Sequence, residues 1–167
     1  MYDRPFSIRI IFFIMIILNL IISITILDKP TLEDTGSIWN IITPLILVVL
    51  TNFIVVRDIR RLIINIHTHI EVLKNFIIIV LYGLLNIILF ALIYYSNGIA
   101  YNVDDISVGD ISLSLYFSIV TWTTLGYGDF RPIESLRLIA SFEALIGYVY
   151  MALLIGIFLN IIKIKVK

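Results

Sequence analysis

Six consecutive residues, Thr124-Leu125-Gly126-Tyr127-Gly128-Asp129, carry the chemistry most at odds with their surroundings. They sit between membrane-length apolar runs in a chain of 167 residues that is 60% hydrophobic. Two closely spaced glycines weaken any helix. Non-helical backbone at membrane depth is tolerated only where it is buried in protein or lines water. Gly126 and Gly128 can adopt positive φ, so successive carbonyls can turn to one side instead of alternating. A column of such carbonyls can replace the hydration shell of a dehydrated monovalent cation. Asp129, at the end of the column, is expected at an outer mouth. There it would concentrate cations by its charge or brace the strand through a local hydrogen bond.

These residues need a frame. The mean hydropathy of +1.07 is too high for a soluble domain. Four apolar segments approach or exceed the roughly 20 residues that cross a hydrocarbon core: Ile8 to Leu27, Ile38 to Val56, Phe76 to Tyr95 and Leu136 to Ile162. A fifth stretch, Ile111 to Val120, is about half a span. A short helix from Ile111 to Thr123 would be about 20 Å long, with its partially negative carbonyl end pointing to mid-membrane. That end favours a cation. The first span is expected as a retained anchor, because "SITILDKPTLED" offers no small-x-small cleavage site.

Charge placement sets the orientation. Net charge is zero, with 12 basic and 12 acidic residues and no cysteine. Bulk charge therefore points to no nucleic-acid partner, and disulfides and thiol chemistry are excluded. Arg4, Arg9, Arg57, Arg60, Arg61, Lys74, Lys163, Lys165 and Lys167 fall on one side; only Lys29, Arg131 and Arg137 fall on the other. Both termini are then cytoplasmic in a multi-pass cell-membrane protein. The half-span must enter and leave on the outer side, so 111–130 is expected to be re-entrant.

Within this frame "TLGYGD" resembles the filter of the potassium-channel family, usually written TVGYG, with Leu125 in place of valine. The resemblance covers 75–167. It implies K⁺ coordination by the carbonyls of Thr124, Leu125, Gly126 and Tyr127 and by the Thr124 hydroxyl, with Gly128 completing the motif. It also implies that Tyr127 braces the filter against the short helix. Tyr116 and Phe117 stand where voltage-gated relatives have paired tryptophans, and Trp122 where methionine is frequent. One strand cannot encircle an ion, so three identical subunits would complete a homotetramer. K⁺ is the permeant ion, no cofactor is expected, and no metal other than K⁺ at the filter.

The expected fold is thus an all-α integral membrane protein. It has four transmembrane helices, a re-entrant pore helix and an extended filter, in contact with membrane lipid. Its regions are 1–56, a two-span part; 57–74, a cytoplasmic amphipathic linker helix; and 75–167, the pore domain. In the linker Ile59, Leu62, Ile63, Ile66, Ile70 and Leu73 recur at helical spacing opposite the basic residues and His67 and His69. No span carries arginines every third residue, so voltage gating by such a sensor is not expected. In the last span, Glu143 is an intramembrane ionisable group, read as supporting the pore helix or a neighbouring subunit. Gly147 is a candidate gating hinge or a packing glycine, and Met151 and Ile155 are candidate cavity-lining residues.

Other function classes remain open. They are a weakly selective cation channel, a non-conducting structural or sensory subunit, and an intramembrane GxGD-type protease built on Gly126 to Asp129. The protease needs a second carboxylate in the same site, and Glu143 is the one other carboxylate inside a span. An enzyme is not expected.

Overall fold

The computed structural model describes residues 38–64, 69–102, 105–107 and 109–165. The expected first span, its flanking arginines and both termini lie outside the described residues. Four helices carry the fold: α1 (Ile38–Ile64), α2 (His69–Asn97), α3 (Ile111–Trp122) and α4 (Arg137–Lys165). Among the described residues, two apolar segments are long enough to cross a membrane, Val72–Asn97 and Glu134–Leu159. The apolar part of α1, Ile41–Arg57, is shorter.

α2 is the central element, packed against α1, α3 and α4. Its C-terminal half is buried at Leu89, Phe90, Ala91, Leu92, Ile93 and Tyr94. One apolar core joins Leu89, Phe90, Ile93 and Tyr94 to Val48, Ile54 and Val55 of α1, Phe117 and Trp122 of α3, and Ala140 and Tyr150 of α4. By contrast α4 exposes Leu138, Phe142, Leu145, Val149 and Phe158.

Of the linker helix expected at 57–74, residues 57–64 continue α1 and 69–74 open α2. Neither glycine nor proline interrupts the helix-forming run between Val56 and Ile64.

An all-α reading also missed a small sheet. Strands β1 (Ile99–Asn102), β2 (Asp105–Ser107) and β3 (Arg131–Pro132) form an antiparallel sheet in the order β2-β1-β3. Ile99 pairs with both Ser107 and Pro132, and Ala100 with both Ile106 and Arg131. The sheet clamps the chain leaving the filter to the chain leaving α2. A 3₁₀ turn, Glu134–Leu136, then leads into α4.

Candidate functional site

α3 begins at a built cap. Asp110 has extended backbone, and its Oδ1 accepts from the Ser112 and Leu113 amides at 2.9 and 3.0 Å. This satisfies two N–H groups that no helical carbonyl can reach. The 12-residue helix is about 18 Å long. It stops at Trp122, one residue before the expected end, with Thr123 as its cap.

Past the cap, the backbone folds back onto the helix it has left. The Thr124 amide donates to the Thr121 carbonyl and the Leu125 amide to the Val120 carbonyl, each at 3.0 Å. Gly126 N–H also reaches Val120 O, at 3.5 Å. The donors of the strand are thus spent on α3. Thr124, Gly126 and Gly128 have φ of 57°, 53° and 80°, whereas Leu125 and Tyr127 between them have no positive φ. Alternating hand along a strand turns successive carbonyls to one side. Glycine takes this conformation freely, but a β-branched threonine does so at a cost of about 1–3 kcal/mol. The Thr124 hydroxyl donates to the Thr123 carbonyl at 2.7 Å.

The aromatic residues divide into three separate supports. Tyr116 donates to Asp129 Oδ2 at 2.6 Å, while Asp129 Oδ1 accepts from the Phe130 amide at 3.0 Å. Phe117 meets Tyr94 edge-on at 4.7 Å, and Trp122 meets Tyr150 at 5.2 Å. Tyr127, expected to brace the strand against the short helix, is 67% exposed in the single chain.

Behind α3, Glu143 is fully buried. Tyr94 donates to its Oε2 at 2.6 Å, and Ser118 Oγ contacts both Glu143 Oε1 and the Ile87 carbonyl. α2, α3 and α4 therefore meet at one carboxyl group. The two carboxylates that a protease would pair, Asp129 and Glu143, are bonded to different partners. Gly147 packs against the Trp122 carbonyl, where a Cβ would lie 2.9 Å from the carbonyl carbon. Met151 and Ile155, farther along α4, are exposed in the single chain.

Sequence reasoning did not find Tyr94, Ser118, Asp110 or Phe130. Asp110 had a legible signal, an aspartate just before an apolar helix. Tyr94 and Ser118 act through contacts between distant parts of the chain, and Phe130 through its amide beside Asp129.

The family model described as "Ion channel" matches residues 77–163, just over half of the chain. That span covers α3, the strand after it, most of α2 and nearly all of α4. No curated protein and no solved structure matches the chain.

Proposed function

The chain belongs to the ion channel family, and on that premise we propose that it is a potassium-selective channel passing K⁺ through the strand Thr124 to Gly128. The observation that carries the reading is the polarity of this strand. Its first three amides are bonded to α3 and its hand alternates at Thr124, Gly126 and Gly128. The carbonyls are left to face a common axis, where they replace water around a dehydrated cation.

Four copies close the ring. The uncovered apolar residues of α4 and the exposed Tyr127 support assembly, since both offer contact area that one chain leaves unfilled. In the assembly Met151 and Ile155 line an apolar cavity on the inner side, and Tyr127 is braced by an adjacent subunit. K⁺ enters from the cavity, moves between carbonyl sites by mutual repulsion and leaves past Asp129. The chain is a multi-pass protein of the cell membrane with both termini cytoplasmic. Residues 75–167 are its pore domain, 57–74 its cytoplasmic linker and 1–56 a two-span part. No chemical reaction is required.

The test is ion flux from liposomes containing the purified full chain, loaded with K⁺ or Na⁺. Selective K⁺ efflux is expected. Equal K⁺ and Na⁺ flux would leave a weakly selective cation channel, with Leu125 as the departure to examine. Absence of both fluxes would favour a non-conducting subunit.

A further inference from the structure

Asn86 lies at the middle of α2, fully buried, in a segment where an unpartnered amide would be costly. Its Oδ1 accepts from Asn52 Nδ2 on α1 at 3.0 Å, and Thr51 Oγ1, which donates to the Val48 carbonyl at 2.8 Å, lies 3.3 Å from it. Its Nδ2 donates to the Tyr82 carbonyl at 2.8 Å and to the Tyr150 hydroxyl on α4 at 3.3 Å. Both amide protons are used and the oxygen has a donor on α1. The reverse amide orientation would set its donors against the Asn52 donors and its oxygen against the Tyr82 carbonyl. One side chain therefore joins three helices in a single defined arrangement.

Tyr150 carries the link onward, because its ring meets Trp122 edge-on at 5.2 Å. Gly83, one turn from Asn86 on the same helix face, lies beside that ring: a Cβ there would be 3.4 Å from Tyr150 Cδ1, about van der Waals contact. Trp122 is the last residue of α3, and Thr124 leaves for the filter two residues later. The order of contact is α1, Asn86, Tyr150, Trp122, filter.

We propose that Asn86 is a positioning residue for ion selection, holding Tyr150 so that Trp122 fixes the turn from which the filter departs. The inference makes α1, which contributes nothing to the filter itself, part of the filter's support. It rests on the channel reading above. A generic packing amide would affect assembly and stability but would leave the choice between ions unchanged once the channel had formed.

The experiment reconstitutes the full chain in liposomes and measures the K⁺/Na⁺ permeability ratio. The variants are Tyr150→Phe, Asn52→Leu, their combination and Asn86→Leu. Phe53→Ala, on the exposed face of α1, is the control. Tyr150→Phe removes one oxygen and keeps the ring on Trp122, so it isolates the bond from the packing. The expected result is a ratio lowered about threefold to tenfold in Tyr150→Phe and in Asn52→Leu, the range of single hydrogen bonds within membranes. Because both act through Asn86, the double variant should lose no more than the larger single effect. Phe53→Ala should match the wild type. A wild type that passes no K⁺ would remove the channel reading. A K⁺-selective wild type with an unaltered ratio in Tyr150→Phe, or with additive losses in the double variant, would overturn the role of Asn86 alone.

Discussion

Gly147 on α4 stands so close to the carbonyl of Trp122 on α3 that no side chain fits between them. α4 thus touches α3 at the turn from which the strand Thr124 to Gly128 departs. Gly147→Ala should therefore be destabilising, by about 1–3 kcal/mol, the usual range for overpacking. Gains in helix propensity, at most about 1 kcal/mol, would not offset it. Gly156 supplies the comparison, since a Cβ there meets nothing within 4 Å. Gly156→Ala should leave the protein as stable or slightly more so. Thermal unfolding of the two variants in detergent checks both statements. A pure hinge role for Gly147 would instead leave its unfolding temperature unchanged and alter only flux.

Glu143 should reveal its role through its partners. In Glu143→Leu the Tyr94 hydroxyl loses its acceptor inside an apolar core, whereas the Ser118 hydroxyl keeps the Ile87 carbonyl. Each buried polar group left unsatisfied costs about 1–3 kcal/mol. Removing all three polar groups together, as Glu143→Leu with Tyr94→Phe and Ser118→Ala, should recover much of the loss. The check is unfolding temperature across the single and triple variants. If the triple variant is as unstable as the sum of its parts, the group acts in some way other than by mutual satisfaction.

How much of this was legible depends on the distance over which each interaction acts. The non-helical stretch after Trp122 was readable because Gly126 and Gly128 interrupt an apolar run, and the short helix before it because its length is too short to cross. Thr123 ended α3 within one residue of expectation, since the break in pattern is local. Glu143 stood out as a charge in a span, but Tyr94 and Ser118 are 49 and 25 residues away in sequence, and neither is unusual in a helix. Asn86 was invisible for the same reason, as an amide in a span carries no record of its partners. The outer sheet escaped because β3 has two residues, too few for any alternation to register. The boundary placed at residue 57 followed a change in charge, which a helix leaving the membrane need not mark by stopping.

The cap of α3 gives a third expectation. Asp110→Ala removes the acceptor for the Ser112 and Leu113 amides and should cost about 1 kcal/mol. Asp110→Asn retains a side-chain oxygen in the same place and should restore most of that. The measurement is again thermal unfolding, now of the three proteins side by side. An equal loss in alanine and asparagine variants would mean that the negative charge at the helix start, rather than the bond, is what counts.

Asp129 could serve the outer mouth by its field or by its bond to Tyr116, and the two make opposite predictions. A field acts over distance and is screened, with a Debye length of about 10 Å at 0.1 M salt. It needs only the charge, so Tyr116→Phe would leave flux intact while Asp129→Asn lowered it, most at low ionic strength. A bond needs both residues. The carboxylate is already committed to two donors, the Tyr116 hydroxyl and the Phe130 amide, and β3 ties the next residues to the outer sheet. This arrangement holds the exit of the strand in place. Tyr116→Phe and Asp129→Asn should therefore both shorten the time over which K⁺ flux is sustained. Their combination should be no worse than either alone, and the defect should persist from low to high salt. Flux records of the four proteins at two ionic strengths separate these cases.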